Sequence, residues 1–412
     1  MGNELPKGWR YVKLSDLAEI QSGGTPSRSN SSYWNGNIPW VKISDIKGKY
    51  ITETEEFITE EGMSNSSAKM FERGTIIFSI FATIGKVAIL DIDATTNQAL
   101  VGLKNNNQVD KTFLVYALTE LSERISNLGK GVAQKNINIS ILKEVEIPLP
   151  PLEEQKQIAE KLNKLFDQIE SIKKSTKRIP ELLKNFRQQI LTYAVTGKLT
   201  EDWRKDKHLD EWRVELAKDC CEKVQSGGTP KGSKFETVGI PFLKVYNIVN
   251  NKIDFESEPQ YVSEEIQNSQ IKKSITYPGD VIMNIVGPPL NKVAIIPDTY
   301  KEWNLNQAIT LFRPKEYLNN KYLYYFFCEG SSVNSVIDKT RGVVGQVNIS
   351  LSQCRDFSIS IPPMEEQLEI VKRIEVLFNI LDDVERRYQL LCDKLDKLPQ
   401  ALLCKAFKGK LV

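Results

Sequence analysis

A chain of 412 residues is long for one hydrophobic core and comfortable for two or three domains. Hydrophobic residues at 41% and charged residues at 26% describe an ordinary globular protein. No apolar run approaches the roughly 18 residues of a membrane span, and the start, MGNELPKGWRYVKL, lacks a signal-peptide core, so a cytoplasmic location is expected. The 55 basic residues against 53 acids leave a net charge of +2, which neither advertises nor excludes nucleic acid. Counterion release depends on the phosphates neutralised at a contact and not on total charge.

Along the chain, QSGGTP stands at Gln21–Pro26, NIPWVKISDI at Asn37–Ile46, the apolar run GTIIFSIFATIGKVAIL at Gly74–Leu90 and NQA at Asn97–Ala99. Short apolar runs broken by Gly, Pro and Asn predict many short strands, and KTFLVYALTELSERI predicts one helix. IPLPPLEEQKQI (Ile147–Ile158) then opens a long helical pattern that closes near Gly197-Lys198-Leu199.

The whole order then repeats. QSGGTP returns at Gln225–Pro230, GIPFLKVYNI at Gly239–Ile248, GDVIMNIVGPPLNKVAII at Gly279–Ile296, and NQA at Asn306–Ala308. A second helical piece, NNKYLYYFFCEGSSVNSVI, follows it. The offset drifts from 202 to 209 through this region and then holds at 212 from Pro150/Pro362 to Gly197/Gly409. Two segments of about 46 residues have therefore diverged without gaining or losing a residue, as internal repeats under a length constraint do.

Within those segments apolar or near-apolar residues alternate steps of four and three, as a coiled-coil seam does. The first seam runs through Ile158, Leu162, Leu165, Ile169 and Ile172, then Thr176, Ile179, Leu183, Phe186 and Ile190. The second runs in the same register through Ile370, Ile374, Leu377, Leu381 and Val384, then Tyr388, Leu391, Leu395, Leu398 and Leu402. Pro-Pro followed by two glutamates suits each helix start. Pro180 and Pro399, at inequivalent positions, predict a kink or short break in each helix.

Catalytic and cofactor motifs are missing. Neither a G-x-x-x-x-G-K-[ST] loop nor a G-x-G-x-x-G fingerprint occurs. The single histidine, His208, lies in the charged stretch EDWRKDKHLDEW. Cys220, Cys221, Cys328, Cys354, Cys392 and Cys404 show no C-x-x-C spacing and are read as reduced structural thiols, with no metal site. Pro297-Asp298 is followed by no Asp/Glu-x-Lys, and GPPL at Gly287 is not the tetrapeptide of an amino-methyltransferase. The chain is expected to catalyse nothing itself.

The duplicated order of QSGGTP, IPW or IPF, NQA, PPLEEQ or PPMEEQ and GKL, around matched helices, resembles the specificity (HsdS) subunit of Type I restriction-modification systems over essentially the whole chain. The resemblance implies an α/β (α+β) fold with two tandem target-recognition domains, 1–150 and 200–362. Each is followed by a long spacer helix, 151–199 and 363–412, the two helices forming an antiparallel coiled coil with pseudo-two-fold symmetry. It further implies that each domain reads one half of a bipartite site in double-stranded DNA. The helices dock modification subunits, two per chain, that bind S-adenosylmethionine and methylate adenine, and a restriction subunit can join. Duplicated modules on helices of fixed length fit that reading as dimeric readers fit half-sites, and divergence between the copies predicts unlike half-sites. Two rival readings are a methyltransferase with a fused recognition domain and a non-catalytic scaffold whose domains bind proteins.

Candidate DNA contacts follow the repeat. QSGGTP is either a DNA-facing loop or a helix-to-strand turn; Thr25 and Thr229 offer hydroxyls, with Lys42 and Lys244 downstream. Lys86 and Lys292 take equivalent places after glycine or proline loops. Lys130, Gln134, Lys135 and Asn136 in GKGVAQKNINIS, and Arg341, Gln346 and Asn348 in TRGVVGQVNIS, mix phosphate-type cations with amides able to read adenine edges. Trp40 is expected in the core.

Overall fold

The structure, a computed structural model, describes residues 5–412 apart from 82, 129–137, 206, 233–234 and 341–347, with backbone alone at 123–128 and 338–340. The chain forms two compact units, Met1–Lys177 with Gln389–Val412, and Arg178–Tyr388.

In the first unit five strands pair in the order Ala18–Ser22, Leu100–Asn105, Ile76–Ser79, Val87–Leu90 and Tyr50–Ile51, all antiparallel except the last pair. Strand Ile76–Ser79 is buried along its length because the sheet is covered on both faces. Ile76 and Phe78 enter one core with Val101, Leu103 and with Phe113 and Leu114 of helix α1 (Lys111–Leu128). Ile77, pointing the other way, enters a second core with Val41, Ile51, Ala88 and Leu100. The period of two thus accounts for an apolar run with no polar alternation. A three-stranded sheet carries Trp34–Val41 between Glu56–Ile58, antiparallel, and Thr95–Thr96, parallel.

The second unit repeats this plan: Cys221–Ser226, Ile309–Pro314, Val281–Asn284 and Val293–Ile295 form a four-stranded sheet. Val281 and Met283 face one core while Ile282 faces another. Ile240–Leu243 is the centre of a three-stranded sheet with the same antiparallel and parallel neighbours.

The long segments form α2 (Leu152–Thr176), α3 (Ile179–Val195) and α5 (Met364–Ala406), with α4 (Asn320–Glu329) between them in the chain. Pro180 does interrupt the first segment, taking a first-turn position in α3 where no donor is needed. Of the kink or short break expected at Pro399 there is no break: α5 runs through it. Proline removes one helical bond, and Leu395, Leu403 and Ala406 are buried on either side of it, which holds the helix continuous.

Each unit contains an antiparallel helix pair. In the first, Lys173 of α2 meets Asp396 of α5 at 2.9 Å, and Lys161 donates to the Leu411 carbonyl at 2.6 Å. In the second, Arg187 of α3 meets Asp382 and Glu385, and Arg373 donates to the Leu199 carbonyl at 2.8 Å. Of the seam residues, Ile158, Leu162, Ile169, Ile370 and Ile374 are buried, while Leu165, Leu377 and Leu381 are half-buried. Ile172 and Val384 stay 41% and 40% exposed. The deep members Ile158, Leu162, Ile370 and Ile374 pack into the cores of the globular parts, so the first turns of each helix are anchored there.

Candidate nucleic-acid interface

QSGGTP is stitched to NQA in both units. Gly23 and Gly24 donate to the Leu100 and Thr96 carbonyls at 3.1 and 2.8 Å, and Gly227 and Gly228 to Ile309 and Leu305 at 2.9 and 3.0 Å. The Thr25 hydroxyl bonds to Gln98 Oε1, and Thr229 bonds to Gln307 in the same way. A Cβ on Gly23 would lie 2.4 Å from the Asn97 carbonyl oxygen, and one on Gly227 2.1 Å from that of Asn306. The close approach that these glycines permit is thus to the chain's own backbone. Trp40 is core, 2% exposed, its Nε1 donating to the Gly24 carbonyl at 2.9 Å.

The matched lysines divide. Lys86 Nζ lies 3.4 and 3.5 Å from the Ile43 and Ile46 carbonyls, and Lys292 Nζ lies 3.4 Å from that of Val245. Both amines therefore reach the first carbonyl of an equivalent helical turn, Ile43–Asp45 or Val245–Asn247. Lys42 pairs with Glu56 at 2.7 Å and Glu55 at 3.5 Å, whereas Lys244 lies 4.3 Å over the Phe235 ring. Asn348 is exposed. Lys130, Gln134, Lys135, Asn136, Arg341 and Gln346 lie outside the described residues.

Two features escape a reading of the sequence. Gln155 is 1% exposed: its amide donates to the Pro150 and Gln108 carbonyls at 2.9 and 3.2 Å and accepts from Asp110 N at 2.8 Å. Gln367 is fully buried and makes the same three bonds, to the Pro362 and Tyr317 carbonyls at 2.8 and 2.9 Å and from Asn319 N at 2.7 Å. The glutamine of each EEQ therefore clamps a long helix to the globular part of its unit, and its recurrence 212 positions later is the signal that points to it. The second feature is Arg28, which lies beside Trp34 and Glu56 and has no arginine counterpart in the matching segment of the other copy.

Among the described residues no cluster of His, Cys, Asp or Glu has metal-holding geometry, and no helix is long and apolar enough to cross a membrane. The six cysteines are free thiols. Burial pushes the Cys328 and Cys354 thiols up to about 12, against weaker opposing hydrogen bonds, which removes them as nucleophiles at neutral pH.

Comparison with known proteins agrees with this duplicated geometry. The family described as Type I restriction modification DNA specificity domain matches residues 6–181 and again 210–390. The specificity subunit of the Type I restriction enzyme EcoKI, from Escherichia coli strain K12, is 26% identical over 431 residues, covering 99% of this chain and 90% of that protein. The MjaIX specificity subunit of Methanocaldococcus jannaschii is 27% identical over 421 residues, covering 99% and 94%. The crystal structure of the HsdS subunit from Thermoanaerobacter tengcongensis shares the fold, with a TM-score of 0.69 at 20% identity over 99% of this chain and 98% of that one. With two matched copies in one chain, each joining a loop-bearing sheet platform to a long helix, the protein belongs to the Type I restriction-modification DNA specificity family.

Proposed function

We propose that this chain is the sequence-reading subunit of a Type I restriction-modification assembly. Residues 1–150 and 200–362 each read one half of a bipartite, asymmetric site in duplex DNA, while 151–199 and 363–412 act as spacers and docking helices. The observation that carries this is the repeated unit itself: a QSGGTP–NQA platform clamped through Gln155 or Gln367 to a helical segment whose residue count from Pro-Pro to Gly-Lys-Leu the other copy matches. Two copies with unlike side chains suit two unlike half-sites.

The chemistry belongs to partners. Modification subunits bind S-adenosylmethionine, extrude the target adenine from the duplex and methylate it; a restriction subunit joins the same assembly, in the cytoplasm. Two per chain is the expected number, because the helices carry two equivalent apolar patches. Ile172 and Leu398 are 41% and 40% exposed in the first unit, and their counterparts Val384 and Phe186 are 40% and 58% exposed in the second. Apolar side chains left open at matched positions of a helix pair suit partner docking.

The test is reconstitution. Chain and modification subunit together, with S-adenosylmethionine, should methylate duplex DNA at one bipartite motif, and the chain alone should transfer no methyl group. Turnover by the chain alone, or sequence-independent methylation by the complex, would refute the reading.

A further inference from the structure

Arg28 sits two residues beyond the QSGGTP loop with its guanidinium carbon 3.6 Å from the centroid of the Trp34 ring and 4.9 Å from that of Trp40. The guanidinium is ion-paired, with Nη2 2.6 Å from Glu56 Oε2. The other oxygen of Glu56 takes Lys42 at 2.7 Å. Trp34 is itself held, its Nε1 donating to the Ser27 carbonyl at 3.1 Å and its ring standing edge-on to Trp40 at 5.0 Å. A side chain with large rotamer freedom is thereby kept at one orientation while remaining 55% exposed.

Stability gains little from an ion pair at that exposure. Preorganisation gains more, because a planar guanidinium stacked on one face and tethered at one edge presents its remaining donors in a fixed fork. Two kinds of acceptor on DNA fit a fork: a phosphate, or the O6 and N7 of guanine. Charge decides between them. A phosphate approaching Arg28 would bring a second anion against the Glu56 carboxylate, whereas a base edge carries no net charge and leaves that carboxylate undisturbed.

We infer that Arg28 is a base-reading side chain of the first recognition unit, pairing bidentately with a guanine in its half-site, with Glu56 as the positioning residue and Trp34 as the platform. The inference rests on the proposed function and adds to it the base and the residue. It concerns one half-site only: the matching segment of the second copy, GGTPKGSKFETVG, contains no arginine, and there Lys244 lies over Phe235.

The experiment compares the methylomes of cells carrying the full chain with its modification subunit, as parent and as Arg28→Ala, Arg28→Lys and Glu56→Gln variants. The parent should show a guanine in the half-site concerned. Arg28→Ala and Arg28→Lys should lose discrimination at that guanine by roughly ten- to hundredfold, leaving the other half-site intact. Glu56→Gln should relax the same position by less. If Arg28→Ala abolishes methylation altogether, the lysine and glutamine variants decide, and an unchanged motif in both overturns the inference. So does uniform weakening at every position, accompanied by a salt slope lower by about 1, which marks a phosphate contact. A parent without any bipartite motif overturns the functional reading, and the inference with it.

Discussion

Arg187 on α3 reaches Asp382 at 2.5 Å and Glu385 at 3.1 Å on α5, and it lies fourteen positions beyond Lys173, whose partner Asp396 lies fourteen positions beyond Asp382. Each unit thus ties its own antiparallel helix pair with a basic residue of the first long segment and acids of α5. Burial works against the Arg187 charge, but the hydrogen bonds it donates to Asp382 and Glu385 outweigh it and raise its pKa. Arg187→Glu places a third acid beside these two. It should destabilise the second unit by about 1–2 kcal/mol, a fall of roughly 2–6 °C in melting temperature. Adding Asp382→Arg should restore part of the loss in calorimetry.

Gly23 and Gly227 should tolerate no side chain. An alanine at either would press into backbone that cannot retreat without opening the QSGGTP–NQA platform. A cost of roughly 2–4 kcal/mol is expected. Hydrogen exchange should report it as lost protection at the amides of residues 23 and 24 for Gly23→Ala, and at those of residues 227 and 228 for Gly227→Ala, with the other unit unchanged.

Gln155→Ala should loosen α2 from its recognition unit by leaving the Pro150 and Gln108 carbonyls and the Asp110 amide unpaired in the interior. Unpaired buried groups cost about 1–3 kcal/mol each, so the first unit should melt well before the second. Gln367→Ala should reverse the order. A single unshifted transition in either variant contradicts the clamp.

The carboxyl of Glu56 is pushed up by burial, but hydrogen bonds from Lys42 and Arg28 outweigh this and hold it below its ordinary value of 4.5. A depressed carboxyl contributes stability that is present above the ordinary value and lost as pH falls through the lowered one. The melting temperature of the parent should therefore drop more steeply below about pH 4.5 than that of Glu56→Gln. Parallel curves would show that the carboxylate is not held by these cations.

Much of this plan is legible in the sequence, and what escapes does so for physical reasons. The repeat, the strand-rich units and the paired helices show in the order of QSGGTP, NQA and EEQ and in the four-three seam. The seam does not reveal that Ile158 and Leu162 pack into a globular core, because heptad spacing does not say what covers a residue. Gln155 reads as solvent-facing on a charged first turn; its partner at Asp110 lies 45 residues away in the chain. The lysines at 86 and 292 read as surface cations, yet their amines meet carbonyls forty or more residues away. Arg28 leaves no trace in the repeat, since the copies differ there, as the reading of unlike half-sites requires.

The central claim, a duplicated reader with matched spacer helices, is tested most directly by the methylome of cells carrying this chain with its modification subunit, beside a variant lacking one heptad from each helix, Asp167–Lys173 and Asn379–Glu385. That deletion keeps the seam phase and shortens each helix by roughly 10 Å, or about three base pairs of B-DNA. The account predicts one bipartite motif with two unlike halves for the parent, and the same halves about three base pairs closer for the variant. A contiguous parent motif, or an unchanged gap at full activity in the variant, would contradict it.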